Sequence, residues 1–266
     1  MNFKDLGLSE ETIKAIDEFG ITEPTSVQSD VIPAILQGRD IFTIAPARCG
    51  KTMSYVLPLL DIINAKRAKN ILIITSNSQS AVKTSDNLAV FNKYHEINST
   101  AIKDGKEDVA GEANVIIGAP DLLLDVVNGE KLDLSKVDIL VVDDINLIKK
   151  NKQLENLEKI LEMLPSEKQN IVYTNRRSKE TQSILQKILK APEEIKVDKN
   201  KEQEVDVSPK ANPQSQQQQP EKKVRPLFNV VEDKEALELA KKYNSYNGKT
   251  PKFILVKGII AEGEEK

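Results

Sequence analysis

Cysteine, histidine and tryptophan are scarce in this sequence of 266 residues, which has one cysteine, one histidine and no tryptophan. A single cysteine excludes a disulfide framework within the chain and a zinc site built on cysteines. So few thiols are typical of a reducing cytosol, and we therefore expect a cytoplasmic protein. His95 has no second histidine to join it in a metal site, so we expect it to be a surface or partly buried packing residue.

Long apolar runs and a dominant charge are also lacking. No stretch approaches the roughly 18 apolar residues of a membrane span, and Met1–Lys4 do not begin a secretory signal, so we expect no membrane association. The 38 Lys and Arg residues face 41 Asp and Glu residues, which gives a net charge of −3. With a pI of about 5.5 the whole chain is not a polybasic nucleic-acid binder. Any contact with RNA or DNA therefore needs a local basic face.

The composition changes abruptly near residue 198. Residues 198–223 are rich in Gln, Pro and charge, and they have almost nothing to bury. This composition predicts a disordered linker. A solvated surface loop is the alternative, although a structureless loop longer than about 15 residues is uncommon inside a compact domain. The chain is thus divided into residues 1–197, 198–223 and 224–266.

Short apolar runs alternate with amphipathic stretches in residues 1–197. Continuous apolar runs are typical of strands that are buried on both faces of a parallel sheet. Their alternation with helices favours right-handed crossovers and an α/β fold, a doubly wound parallel sheet with helices on both faces. The predicted strands are residues 41–45, 71–75, 114–118, 139–142 and 170–174, and the predicted helices include residues 54–65, 153–164 and 179–189.

Residues 224–266 repeat this pattern once, as a predicted strand, helix and strand at 227–231, 234–242 and 252–260. One βαβ unit of this size is too small to form an independent core. We expect a small βαβ fragment that corresponds to the beginning of a further domain.

The strongest local pattern lies between the first predicted strand and the first predicted helix, and it matches a phosphate-binding loop in which Ala stands at the first Gly. In such a loop backbone N–H groups face the phosphates, Lys51 reaches the β and γ oxygens, and the Thr52 hydroxyl binds Mg²⁺. The candidate nucleotide-binding residues are Ala45, Pro46, Ala47, Arg48, Cys49, Gly50, Lys51 and Thr52, called the phosphate loop below.

An acidic pair, Asp143 and Asp144, follows the predicted strand 139–142. A carboxylate at the tip of this strand would hold Mg²⁺ directly or through water, and the next one would orient or deprotonate the attacking water. The alternative is structural, because Asp144 is well placed to cap a following helix. The presence of Lys51 about ninety residues earlier favours metal binding by Asp143.

Phe3 and the run from Gly20 to Gln28, which begins seventeen residues later, resemble the Q motif of DEAD-box RNA helicases. The residues before and after the phosphate loop are similar to that family as well. The resemblance implies a RecA-like domain with ATP and Mg²⁺ as cofactors, in which the Gln28 amide pairs with adenine and Phe3 stacks on it. It also implies that Lys51, Asp143 and Asp144 are catalytic.

The other motifs of that family are present in position but altered. Arg48 stands in place of a loop Gly, and the Asp-Glu-Ala-Asp signature is present as Asp143-Asp144-Ile145-Asn146. Asp144 is one methylene shorter than the Glu of the signature, so its carboxylate is set back. Such a shift can lower a rate on the order of 10²-fold where geometry governs the rate. Asn146 has lost the final charge. Thr174-Asn175-Arg176 replaces the family's Ser-Ala-Thr.

Two motifs that contact RNA in that family have lost their cations. Residues 75–80 replace Pro-Thr-Arg-Glu-Leu-Ala, and residues 119–122 replace Thr-Pro-Gly-Arg. The loss of two positive groups from a phosphate-facing surface should weaken RNA binding, and Asp121 adds repulsion. Arg176 and Arg177 are candidates for compensation, with a helix-capping or solvated role as the alternative.

The sequence therefore predicts a divergent DEAD-box-like protein with a first RecA-like domain and the start of a second. It is expected to bind ATP·Mg, with at most weak RNA-linked hydrolysis and no strand separation on its own. The alternative is a catalytically inactive interaction or scaffold module. Expected partners are RNA, bound weakly, and a protein or a separate second RecA-like domain. An unrelated P-loop kinase or GTPase would not explain the spacing of Phe3 and Gln28.

Overall fold

A computed structural model describes residues 2–107, 109 and 113–197; the predicted linker and βαβ fragment lie outside these residues. No helix in the described ranges is long and apolar enough to cross a membrane. Short 3₁₀ turns form at Phe3–Leu6, Asn92–Tyr94 and Leu134–Lys136. The other elements are α1 (Glu10–Phe19), α2 (Ser26–Leu36), β1 (Ile41–Ile44), α3 (Lys51–Asn64), β2 (Ile71–Ile74), α4 (Ser78–Phe91), β3 (Ser99–Ala101), β4 (Val115–Gly118), α5 (Pro120–Asn128), β5 (Ile139–Val142), α6 (Ile145–Lys150), α7 (Leu154–Met163), β6 (Gln169–Thr174), α8 (Lys179–Ile188) and β7 (Glu193–Lys196).

The strands form one seven-stranded sheet in the order β3-β4-β2-β5-β6-β1-β7, and each pair of neighbours is parallel. This confirms the predicted parallel α/β sheet. Strands β5, β6 and β1 are adjacent, with Val142 opposite Val172 and Phe42 opposite Val172 on its other side. The segments that follow these three strands therefore leave the sheet side by side at its carboxyl edge.

Both faces of the sheet are buried, and this explains why the apolar runs are continuous. In β2, Ile71 and Ile73 pack with the cluster that contains α1 to α4, whereas Leu72 and Ile74 pack with the cluster that contains α5 to α8. Every residue of β2 therefore has to be apolar. The predicted helices on both faces of the sheet are confirmed.

The five predicted strands are all present, but the two edge strands were missed. All three residues of β3 are half-exposed, and in β7 only Ile195 is buried. A strand at the edge of a sheet has less surface to bury, so it need not carry a continuous apolar run. Helix α3 begins at Lys51, three residues before the predicted start.

A buried polar network joins α1 to α3, the helix that begins in the phosphate loop. The Asp61 carboxylate accepts hydrogen bonds from the Ser9 backbone N–H at 2.7 Å, the Ser9 hydroxyl at 2.6 Å and the Thr12 hydroxyl at 2.6 Å. His95 Nε2 lies 2.9 Å from Thr12 Oγ1. Because Thr12 has one hydroxyl hydrogen and donates it to Asp61, His95 Nε2 must be the donor in this second contact.

Protonation of His95 would therefore place its second hydrogen on the other ring nitrogen, Nδ1. Nδ1 is buried and has no hydrogen-bond partner among the described residues. A proton there would be buried without an acceptor, and burial holds the pKa of His95 below its usual 6.5, although Asp61 and Glu11 partly oppose the shift. The expected surface or partly buried packing residue is in fact a buried part of a hydrogen-bond network.

This pKa shift predicts a pH-dependent stability. Between the lowered pKa of the folded state and about 6.5, the unfolded chain binds more protons, so the free energy of unfolding falls as the pH falls. We expect the wild-type protein to lose stability relative to His95→Gln between pH 7.5 and pH 5, as measured by urea unfolding. Other groups titrate in both proteins and cancel in the difference. A stability difference that does not change with pH would contradict this assignment.

Candidate functional site

Three segments meet at the carboxyl edge of the sheet, where ligands bind in open α/β folds. They are the phosphate loop after β1, the acidic pair after β5, and residues 175–178 after β6. The Ala45 N–H donates to the Thr174 carbonyl at 2.9 Å, which ties the first residue of the phosphate loop to the end of β6. The sheet thus brings the predicted phosphate and metal residues to one edge.

The phosphate loop leads into α3 through two residues in the left-handed region. Arg48 has φ 65° and Gly50 has φ 86°. Such a conformation costs a residue with a side chain about 1–2 kcal/mol, a cost that glycine avoids. The exposed Arg48 side chain points away from the core. Gly50 caps α3 without a side-chain hydrogen bond, so the first N–H groups of the helix are left for an anion.

The Lys51 ammonium lies inside the phosphate loop. Its Nζ donates to the Pro46 carbonyl at 2.7 Å and to the Ala45 carbonyl at 3.2 Å. The buried Cys49 thiol also donates to Pro46 O, at 3.0 Å. The loop is therefore closed around its own lysine.

Gln28 and Thr25, at the start of α2, lie directly against the phosphate loop. Gln28 Oε1 accepts from the Thr25 N–H at 3.0 Å, and its Nε2 donates to the Gly50 carbonyl at 3.3 Å. The Thr25 hydroxyl donates to Cys49 O at 2.9 Å. The structure thus brings the predicted adenine-reading Gln28 to the predicted phosphate site. Its second role, as part of the capping box of α2, was not anticipated.

Phe3 does not present a free ring to the site. It is 2% exposed and belongs to the core cluster that α1 to α4 form with the sheet. Stacking of this ring on adenine stays a prediction.

Burial raises the pKa of both carboxyl groups of the acidic pair. Burial raises the pKa of Asp143 to about 6; Lys51 opposes the shift, whereas Asp144 adds to it. Burial also raises the pKa of Asp144. Asp144 has φ 63° and caps α6, accepting from the Leu147 N–H at 3.4 Å. The structural role considered for Asp144 is therefore present.

Tyr55, on the second turn of α3, connects the two predicted Mg²⁺ ligands and was missed in the sequence. Its buried hydroxyl donates to Asp143 Oδ2 at 3.2 Å and also contacts the side chain of Thr52. A hydroxyl and carboxylates are hard oxygen donors of the type that Mg²⁺ prefers. Among the described residues no group of three His, Cys, Asp or Glu side chains could hold a metal ion. Such a donor set fits Mg²⁺ that is held mainly by phosphates and water, and Thr52 and Asp143 remain its predicted protein ligands.

On the surface expected to contact RNA, neutral and acidic side chains form the hydrogen bonds between neighbouring segments. Asp121 Oδ2 accepts from Gln153 Nε2 at 3.0 Å, and Asn151 Nδ2 donates to Ser76 O at 2.6 Å. Arg177, a candidate for compensation, forms an ion pair with Glu194. One of the two candidate cations is thus already paired.

Comparison with known proteins gives a consistent result. Residues 25–183 match the family model described as DEAD/DEAH box helicase. The chain is 29% identical over 214 residues to the ATP-dependent RNA helicase DeaD of Klebsiella pneumoniae, covering 77% of this chain and 33% of that protein. It is 28% identical over 202 residues to the DEAD-box ATP-dependent RNA helicase RhpA of Helicobacter pylori (strain B128), covering 74% and 41% respectively. The chain thus spans less than half the length of these relatives.

A solved structure supports the fold assignment. The crystal structure of a DEAD box protein from the hyperthermophile Methanococcus jannaschii superimposes with a TM-score of 0.71 at 26% identity. The match covers 75% of this chain and 57% of that one.

The contact between Gln28 and the phosphate loop can be tested with a matched pair of glycines. Gly20 and Gly50 both have φ +86°, but an added Cβ meets nothing within 4 Å at Gly20, whereas at Gly50 it would lie 2.5 Å from Gln28 Nε2. Both alanine variants should lose about 1–2 kcal/mol through backbone strain. Gly50→Ala should lose about 1 kcal/mol more in urea unfolding, because Gln28 has to give up its hydrogen bond. This excess should shrink in a Gln28→Ala background, and equal losses for the two glycines would contradict the contact.

The raised pKa of Asp143 predicts that its charge destabilises the free protein. The folded-state value of about 6 lies above the ordinary 3.8, so the folded state binds more protons between these values and stability falls as the pH rises. Without Mg²⁺ or nucleotide, Asp143→Asn should stabilise the protein at pH 7.5, on the order of 1–3 kcal/mol at about 1.4 kcal/mol per pKa unit. The gain should vanish near pH 4. The exposed Asp86→Asn serves as control, and a loss of stability in Asp143→Asn at pH 7.5 would disprove the assignment.

Proposed function

The chain belongs to the DEAD/DEAH box helicase family, and on this premise we propose that its RecA-like domain binds ATP together with Mg²⁺. The observation that carries the proposal is the contact between Gln28 and Gly50, at 3.3 Å. This contact places an amide that can pair with a base edge beside a loop that can bind phosphates. Lys51, Thr52 and Asp143 lie at the same edge of the sheet.

The phosphates would take over the interactions that now close the phosphate loop. Lys51 would exchange the carbonyls of Ala45 and Pro46 for phosphate oxygens, which carry more negative charge. The uncapped N–H groups at the start of α3 would face the same anion. Bound Mg²⁺ would neutralise charge on the phosphates, with Thr52 and Asp143 as the residues that hold it.

Gln28 provides a reason for adenine selectivity. An adenine edge presents an acceptor, N7, beside a donor, the N6 amino group, whereas guanine presents two acceptors there. A side-chain amide offers one donor and one acceptor, so it pairs twice with adenine and once with guanine. To do so, Gln28 has to share or exchange its bonds to Thr25 and Gly50. Phe3 is the residue proposed to stack on the adenine base.

Hydrolysis is proposed to be weak. The Asp144 carboxylate is one methylene shorter than the family's Glu, and here it is bound to the N-terminus of α6. A group in this position is less free to orient a water against the phosphate.

RNA is proposed to bind weakly and to stimulate hydrolysis little. The cations that the family uses in two RNA-contacting motifs are replaced, and Asp121 with Gln153 and Asn151 with Ser76 form neutral or acidic connections there. We do not expect the described domain to separate strands by itself. We propose that a second RecA-like domain or another protein supplies further RNA-binding surface, and the cytoplasm is the proposed location.

An inactive interaction or scaffold module is the second candidate. One observation favours it: the Lys51 ammonium is satisfied by two carbonyls of its own loop, so the loop is closed without a nucleotide. In this case the RecA-like fold would be kept for contacts with a partner.

Calorimetric titration with ATP and with GTP in Mg²⁺ separates the two candidates. We expect ATP to bind more tightly than GTP, Lys51→Ala to abolish both, and Gln28→Ala to remove the preference, about tenfold for one lost hydrogen bond near 1.4 kcal/mol. The exposed Lys83→Ala on α4 is the matched lysine control. If the folded wild-type protein binds neither nucleotide, the scaffold candidate is favoured and the proposal fails.

A further inference from the structure

Asn146, the first-turn residue of α6 that stands at the family's final Asp, makes a contact that its residue type alone did not predict. Its side-chain Nδ2 lies 2.7 Å from Thr174 Oγ1, 2.7 Å from Arg176 O and 3.1 Å from Asn175 Oδ1. The amide nitrogen is thus surrounded by three oxygens, from the last residue of β6 and from the segment that follows it. Asn146 joins this segment to the acidic pair after β5.

The hydrogens in this cluster determine which group can occupy position 146. The Thr174 hydroxyl donates its only hydrogen to the Arg176 carbonyl, at 2.8 Å. Thr174 Oγ1 can therefore only accept from Asn146, and the Arg176 carbonyl is an acceptor in any case. Two of the three oxygens around Asn146 can therefore only accept from it, although Thr174 Oγ1 also accepts from the Arg176 N–H at 3.4 Å. A carboxylate there would face them without a hydrogen and would make Thr174 give up its bond to Arg176.

The same cluster reaches the phosphate loop. The Thr174 carbonyl accepts from the Ala45 N–H at 2.9 Å, and the Ala45 carbonyl accepts from Lys51 Nζ at 3.2 Å. Thr174 is 1% exposed and Ala45 is also 1% exposed, so neither has a solvent-filled space in which to shift. A change in the hydrogen bonds of Thr174 should therefore alter the hydrogen bond that holds the first residue of the phosphate loop.

We propose that Asn146 is a positioning residue that holds Thr174, and through it the start of the phosphate loop, and that this role requires a hydrogen-bond donor at position 146. The effect on ATP rests on the proposed function, whereas the effect on the loop does not. It follows that Asn146→Asp, which brings the segment closer to the family signature, harms this chain. The donor at Asn146 and the acceptors in Thr174–Arg176 are therefore complementary.

Amide hydrogen exchange of the full chain, followed by NMR without nucleotide, tests this directly. In Asn146→Asp we expect the protection factor of the Ala45 amide to fall about tenfold, the change for about 1.4 kcal/mol of lost local stability. Asn146→Ala should show a smaller loss, because it removes the donor without adding a carboxylate. The Ile71 amide, bonded to Asn114 O at 2.8 Å at the other edge of the sheet, serves as the internal reference.

A matched control is available at the other end of α6. Asn151 Nδ2 also donates to a carbonyl, that of Ser76, but on the segment after β2. Asn151→Asp should leave Ala45 protected. Equal losses at Ala45 and Ile71, or an Ala45 amide that is unaffected in Asn146→Asp, would overturn the proposal, since a merely structural role affects both amides alike.

ATP titration then distinguishes this inference from the proposed function. If wild-type protein binds ATP, Asn146→Asp should weaken binding several-fold and Asn151→Asp should not; unchanged affinity would count against the positioning role. If the wild-type protein binds no ATP while the Ala45 amide still responds to Asn146→Asp, the proposed function fails and the positioning of the loop stands.

Discussion

In a parallel sheet with helices on both faces, every crossover returns over a face, so all strands end at the same edge. The site of this protein depends on that constraint. Because β6 lies between β5 and β1, the segments after these three strands are neighbours although they are far apart in the chain. Lys51, Asp143 and Thr174 meet for this reason, and the apolar residues that bury both faces maintain the arrangement.

Hydrogen bonds, rather than charge pairs, connect the parts of the site. Gln28 contacts the phosphate loop through an amide, Asn146 contacts the segment after β6 through another, and Tyr55 joins Thr52 to Asp143 through a hydroxyl. Neutral groups can be buried at lower cost than ions when their partners are present. The charges that remain, on Lys51 and the acidic pair, are those that a nucleotide with Mg²⁺ would compensate.

The sequence alone predicted the central strands well, because each is buried on both faces and therefore uniformly apolar. It did not predict β3 and β7, whose edge positions leave polar residues exposed. In the site, the phosphate loop could be predicted from its pattern between a strand and a helix, and Gln28 from its resemblance to the Q motif. The capping role of Asp144, the burial of Phe3 and the contacts of Asn146 could not, because each depends on which side chain a distant segment brings close.

The network around Asp61 shows that the folding unit is larger than the region by which the family is identified. The family match spans residues 25–183, but the donors to Asp61 come from Ser9 and Thr12. At the other end, β7 pairs with β1 along four residues beyond the match. A domain trimmed to the matched residues would leave a buried carboxylate on α3 without three of its donors, and the strand before the phosphate loop with an open edge. Hydrogen bonding therefore extends the folding unit at least from Ser9 to Lys196.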